Sequence, residues 1–274
     1  METLMKRCTW MFHLDLPSRG NNKSVNWKKS LDALKQASWQ WFSKFSNTLI
    51  DPSFIQSKSD YNLFMRTKGN VFIALLVYVD DVILASNDST TIAQFITSLN
   101  QQFKLKDLGT LKFFLSLEVA RSTKGISLSQ RKYALDIFED SSLLAAKPSK
   151  FSMEKNIKLS KDNGSLLEDS TSYMHLIFRL IYLTITRPDL AYVAQNLSQF
   201  MDKLRQPHLE VAHKVLRYLK NSPGQGIFFP SSSNFWVKTF CDADWAGCSD
   251  TRRLITSFCV FLEDTLISWK SKKR

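Results

Sequence analysis

The sequence predicts an α+β fold, and three observations carry that prediction. Apolar runs of strand length, punctuated by Gly, Asn and Asp, cluster in residues 61–85 and again after residue 226. Between them lie long stretches in which apolar residues recur at helical spacing. The longest apolar run, 71–79, is about nine residues and ends in two aspartates, well short of the roughly 20 residues of a membrane span. With 274 residues, 44% of them hydrophobic and 12% aromatic, the chain has enough apolar side chains to fill a core.

In chain order, Leu34, Trp41, Phe42, Phe45 and Leu49 predict an amphipathic helix over residues 31–50. Residues 61–65, 71–79 and 82–85 read as a β-meander, with turns at Lys68-Gly69-Asn70 and at Asp80-Asp81. Asp88-Ser89-Thr90 offers N-caps for a helix running to about Phe103, with Ile92, Phe95, Ile96, Leu99 and Phe103 on one stripe. Strands are expected at 111–119 and 126–129, then a helix over 133–144. Residues 147–164, rich in Lys, Ser, Asn and Asp, have the composition of an exposed connection and mark an internal boundary. Residues 172–204 read as two helices broken at Arg187-Pro188-Asp189, because proline disfavours helical geometry in the residue before it. A further helix over 209–220 carries Val211, Val215, Tyr218 and Leu219 on one side and Lys214, Arg217 and Lys220 on the other. After Ser222-Pro223-Gly224, short strands are expected at 226–229, 236–241, 256–262 and 265–269.

Thirty-seven Lys and Arg against 25 Asp and Glu leave a net charge of +12, so a polyanion such as nucleic acid is the first partner to consider. A generically basic protein is the competing reading. The Lys214, Arg217 and Lys220 face could likewise meet phosphates or simply face solvent. Cys8, Cys241, Cys248 and Cys259 contain no CxxC pair, which points to neither a disulfide framework nor a zinc site and fits a reducing compartment. The N-terminus shows no sustained apolar segment with a cleavage signature, so the expectation is an intracellular protein, cytoplasmic or nuclear.

Two adjacent carboxylates at the tip of an apolar hairpin repel one another and resist burial. Divalent cations remove that objection, since two of them about 4 Å apart can activate an attacking hydroxyl and stabilise a leaving oxygen in phosphoryl transfer. Taken alone, an Asp-Asp turn is more often a solvated polar turn.

The surrounding residues make the comparison specific. Tyr78-Val79-Asp80-Asp81, between Ala74-Leu75-Leu76-Val77 and Val82-Ile83-Leu84-Ala85-Ser86, resembles the catalytic hairpin of copia-type retrotransposon reverse transcriptases. Leu34-Lys35-Gln36-Ala37 with Trp41, Asp107-Leu108-Gly109, Leu128-Ser129-Gln130-Arg131-Lys132-Tyr133, Arg179-Leu180-Ile181-Tyr182-Leu183, Thr186-Arg187-Pro188-Asp189 and Val215-Leu216-Arg217-Tyr218-Leu219-Lys220 resemble the same family in the same order. Cys241-Asp242-Ala243-Asp244-Trp245 is similar to the opening of the RNase H domain that follows the polymerase.

The resemblance implies a palm of antiparallel strands on helices over 1–146, a helical thumb or connection over 147–224, and the first strands of RNase H over 225–274. It implies Mg²⁺ or Mn²⁺ at Asp80 and Asp81 for the polymerase and at Asp242, with Asp244 as second candidate, for RNase H. It also implies an RNA or DNA template-primer with a dNTP as partners, and nucleic-acid contacts from Lys35, Gln36, Lys214, Arg217 and Lys220. Polymerases of this type need a third aspartate from the strand beside the hairpin, which by the resemblance would lie before residue 1. Asp15 is the nearest substitute, with Pro17 close behind it to interrupt a strand. The later RNase H carboxylates would follow Arg274. Phe178 and Ser257 stand where the family tends to have glycine. The expectation is therefore an inactive reverse-transcriptase fragment, with a non-catalytic basic nucleic-acid-binding remnant as the alternative.

Overall fold

The computed structural model of the chain describes residues 4–10, 35–50, 53–79, 81–103, 105–143, 145–154, 157, 159–232, 235–245 and 252–273. It is a mixed structure of antiparallel sheets and helices in two compact units, Met1–Leu111 and Lys112–Arg274. No helix among the described residues is long and apolar enough to cross a membrane.

The first unit is built on strands Leu4–Trp10 (β1), Ile55–Gln56 (β2), Leu63–Lys68 (β3), Val71–Tyr78 (β4), Asp81–Ser86 (β5) and Leu105–Thr110 (β6). They form one antiparallel sheet in the order β2-β3-β4-β5-β1-β6. Helices Lys35–Ile50 (α1) and Ser89–Gln102 (α2) belong to the same unit. Asp88 caps α2 as expected, its carboxylate accepting from the Thr91 N–H at 2.7 Å. Ile73, Leu75, Val77, Val82 and Leu84 of the central strands are buried in one core with Cys8, Phe45, Leu49, Ile92, Phe95, Ile96 and Leu99. Because side chains alternate along a strand, Leu76, Asp81, Ile83 and Ala85 fall on the opposite, more open face.

Two features of this sheet differ from the sequence-based expectation. The expected hairpin turn at Asp80-Asp81 is shifted by one residue: Asp81 is already paired with Tyr78 as the first residue of β5. Val79 takes a left-handed conformation (φ 48°), as the first position of a two-residue hairpin loop demands, although a β-branched residue is strained there. Second, β1, a strand the sequence pattern did not reveal, inserts between β5 and β6 and pairs directly with β5.

The second unit contains the four-stranded sheet β10-β9-β8-β7, from Phe113–Phe114 (β7), Leu117–Ser122 (β8), Gly125–Ser129 (β9) and Gly226–Pro230 (β10). Its helices are Arg131–Asp140 (α3), Ser170–Leu183 (α4), Ala191–Leu197 (α5) and Gln206–Leu219 (α6), and they share a core that includes Phe138, Ile177, Leu180, Leu197, Val215 and Leu219. A separate antiparallel sheet holds Val237–Asp244 (β11), Ile255–Leu262 (β12) and Thr265–Lys273 (β13) in that order. The expected helix break is real: α4 ends at Leu183 and Pro188–Leu190 forms a 3-10 turn with proline in its first turn.

The strand expected over 111–119 is split into β7 and β8 by Leu115 and Ser116, both left-handed (φ 48° and 60°), in a two-residue hairpin loop. Neither residue suits that conformation, and the pattern of alternation alone does not reveal it. Replacing the pair with Leu115→Asn and Ser116→Gly is expected to raise unfolding free energy by about 1 kcal/mol, read from urea denaturation. The bond from the Tyr182 hydroxyl to the Leu115 carbonyl, 2.6 Å, uses backbone and survives the change. A loss of stability would contradict this account of the turn.

Candidate functional site

Asp81 sits at the start of β5, with Thr9 of β1 directly opposite and Arg7 facing Ile83 two residues along. Arg7 and Asp81 are therefore diagonal neighbours on one face of the sheet, within reach of a long side chain. Arg7 spans the gap as a fork: its Nε donates to one Asp81 oxygen at 3.2 Å and an Nη to the other at 2.9 Å. The side chains are only 27% and 18% exposed, so this pair is far less screened than a surface ion pair. Asp80, the other expected polymerase ligand, lies outside the described residues, as does Asp15.

The strand that supplies Arg7 reads Leu-Met-Lys-Arg-Cys-Thr-Trp and contains no carboxylate. Lys6, one residue before, pairs with Asp107 of β6 at 2.8 Å. Burial raises the Asp107 carboxyl's proton affinity, but the bond from Lys6, the Gly109 N–H and the Lys6 charge together outweigh it and hold that carboxyl below its usual range. Cys8 faces the core, and burial pushes its thiol up to about 11, with the Asp107 charge adding to the shift, so it is an inert packing residue.

Asp242 and Asp244 both occupy β11, two residues apart, opposite Ser257 and Ile255 of β12. Both are exposed, and the Asp242 carboxylate accepts from the Ala243 N–H at 2.9 Å. Asp242 lines an apolar cavity of about 300 Å³ with Pro188, Tyr192, Phe240 and Trp269. Among the described residues no three His, Cys, Asp or Glu side chains converge as a metal-binding group.

The expected nucleic-acid contacts are dispersed in their roles. Lys35 and Gln36 open α1, and their side chains lie outside those described. Lys214 is ion-paired with Glu154. The Lys220 ammonium donates to the Leu143 carbonyl at 3.1 Å and the Ala146 carbonyl at 2.6 Å, tying the chain after α3 to the end of α6. Arg217 is exposed.

Thr186-Arg187-Pro188-Asp189 has a clear structural role. Arg187 is buried, 1% exposed, and forks onto Asp189 at 2.9 and 2.7 Å while donating to the Ser222 carbonyl at 2.9 Å. The Tyr218 hydroxyl donates to the same carboxylate at 2.9 Å. Burial raises the Asp189 carboxyl's proton affinity, but the bonds and charge from Arg187 and the bond from Tyr218 more than offset it, leaving the carboxyl below its usual range. Thr186 donates in turn to the buried Gln130 at 2.9 Å.

The pattern of the reverse transcriptase (RNA-dependent DNA polymerase) family matches residues 16–155, spanning the hairpin. The chain belongs to this family. It is 38% identical to the retrovirus-related Pol polyprotein from transposon RE1 of Arabidopsis thaliana over 90% of its own length, and 32% identical to that from transposon TNT 1-94 of Nicotiana tabacum over 89%. It spans only 17% and 19% of those polyproteins. An uncharacterised mitochondrial protein of Arabidopsis thaliana is 34% identical over 73% of this chain and 83% of that protein. No solved structure matches the chain.

Reverse transcriptases as a family depend on divalent metal and act on a nucleic-acid template-primer and dNTPs. Among the described residues Asp81 is held by an arginine, and the neighbouring strand Leu4–Trp10 carries no carboxylate. Asp81 is marked by its motif, whereas Arg7 is not. A lone basic residue in a short segment carries no periodic signal, and only strand pairing across 74 positions reveals its partner.

Proposed function

We propose that this chain is the reverse-transcriptase portion of a retrotransposon polyprotein that, in the form described, binds nucleic acid but does not carry out nucleotidyl transfer. The observation that carries this reading is the forked Arg7–Asp81 pair. A guanidinium supplies the positive charge that a bound cation would otherwise bring to the hairpin, and β1 adds no ligand of its own. On the same reading residues 1–146 are the palm, 147–224 the thumb or connection, and 225–274 the opening strands of RNase H, with Asp242 and Asp244 as its acidic pair. Primer extension on an RNA template with Mg²⁺ or Mn²⁺ tests the proposal. Extension at background level is expected, and extension abolished by Asp80→Asn with Asp81→Asn would overturn it.

The binding half of the proposal rests on the net charge of +12. Affinity for single-stranded nucleic acid is expected to fall steeply with salt. Arg217→Ala is expected to lower the slope of log affinity against log salt by about one, measured by fluorescence anisotropy. Lys220→Ala should instead show its effect in stability, because its ammonium is committed to two backbone carbonyls. Affinity indifferent to salt would count against phosphate-driven binding.

A further inference from the structure

We propose that Asn163 is a site of spontaneous covalent modification, converted within the folded chain to aspartyl and isoaspartyl residues by attack of the neighbouring Gly164 nitrogen. The site lies wholly within the second unit and is independent of whether the aspartate hairpin is active.

Asparagine is thermolabile because its side-chain amide carbon can be attacked by the main-chain nitrogen that follows it. The attack needs a following residue without an obstructing side chain, an N–H not tied up in a hydrogen bond, and an asparagine side chain free to turn back. Asn163-Gly164 is the one Asn-Gly pair in the sequence. The fold itself demands the glycine: its φ is +91°, and a Cβ there would lie 2.6 Å from Cδ of Pro207. Both residues are exposed, and among the described residues neither the Gly164 N–H nor the Asn163 side chain has a hydrogen-bond partner.

The chain on either side of this bare peptide is held. Arg205 donates from Nε to the Lys161 carbonyl at 2.7 Å and from Nη1 to the Gly164 carbonyl at 2.6 Å. The Gln206 N–H donates to the Ser165 carbonyl at 2.9 Å. The surroundings are also cationic: the bond and charge of Lys203, ahead of the charges of Arg205 and Lys161, hold the adjacent Asp162 carboxyl below its usual range. Positive charge of this kind favours the deprotonated nitrogen that makes the attack.

The Gly164 nitrogen gives up its proton and bonds to Cγ of Asn163, the Cγ–Nδ2 bond breaks, and ammonia leaves with that proton. The five-membered imide then takes up one water. Opening at Cγ yields aspartate, and opening at the main-chain carbonyl yields isoaspartate, whose chain runs through Cβ and Cγ. Nothing is oxidised or reduced, and either product gains one negative charge and one mass unit. Asn221-Ser222 supplies a contrast within the same unit, since serine is also a small following residue. There the Asn221 amide donates to the Ser149 carbonyl and the Ser222 N–H donates to the Leu219 carbonyl at 3.1 Å. Both reacting groups are committed, so reaction at Asn221 must wait for local opening.

The test is peptide mapping of the full chain by mass spectrometry after incubation at mildly alkaline pH, folded and in denaturing urea, with electron-transfer fragmentation to distinguish isoaspartate from aspartate. Residue 163 is expected to gain one mass unit in the folded chain at a rate within about threefold of that in urea, whereas Asn221 should react at least about tenfold more slowly folded than unfolded. The rate at residue 163 should rise with pH, and Asn163→Gln, whose longer side chain must close a six-membered ring, should abolish the gain there. An unmodified Asn163 in the folded chain, an Asn163 slowed by folding as much as Asn221, or a product free of isoaspartate would each overturn the proposal.

Discussion

Replacing Arg7 with alanine is expected to raise the affinity of the hairpin for Mn²⁺ by roughly ten- to hundredfold. A cation approaching Asp81 in the unaltered protein must first displace a two-pronged, charge-assisted contact, worth about 1.5–3 kcal/mol. It must also approach the guanidinium charge. Removing Arg7 removes both obstacles and leaves Asp81 open on the sheet face. Electron paramagnetic resonance titration of free Mn²⁺ reads the change, with Asp81→Asn in the Arg7→Ala background as the control that abolishes it. Equal Mn²⁺ affinity with and without Arg7 would remove the basis for treating the pair as a substitute for metal. Primer extension by Arg7→Ala is expected to stay at background, because β1 still brings no carboxylate to the hairpin. The same change also costs some stability, since the Asp81 carboxylate loses its partner at a half-buried position.

Arg187→Ala is expected to destabilise the second unit by about 3–5 kcal/mol. The arginine is nearly inaccessible, and it holds together three points of the chain: the turn after α4, the Asp189 carboxylate and the Ser222 carbonyl beyond α6. Its removal leaves a cavity and an unpaired carboxylate. Arg187→Lys should recover only a minor part, because an ammonium cannot form the two-pronged bond and reach Ser222 as well. Thermal and urea unfolding measure both.

Asp189 adds a pH dependence whose direction is fixed by its depressed carboxyl. A carboxylate with a lower pKa in the folded state contributes stability that is fully present above the ordinary aspartate value, near 4. That stability is lost as pH falls through the folded value. The stability gap between the unaltered protein and Asp189→Asn should therefore be widest near neutrality and narrow on acidification below about pH 4. A gap that stayed constant across that range would show that the carboxylate's charge is not what the network uses.

Much of the architecture was legible in the residues because it rests on local rules. The stripe Ile92, Phe95, Ile96, Leu99 and the cap Asp88 define α2 without reference to anything distant. Pro188 locates the break between α4 and α5 by its own geometry. The turns were less legible. Val79, Leu115 and Ser116 adopt left-handed backbone conformations that their side chains do not favour, so they leave no signature in composition or alternation.

At the site, the family and the presence of Asp81 on an apolar hairpin can be read from the chain alone, because a motif flanked by strand-length apolar runs is local information. What Asp81 touches depends on the assembled sheet. β1 enters the sheet between two strands that follow it by about 75 and 100 residues, and backbone pairing over such distances is set by the fit of whole strands rather than by any local pattern. That insertion places Arg7 over Asp81 and Cys8 in the core, with alternate side chains on opposite faces of one strand.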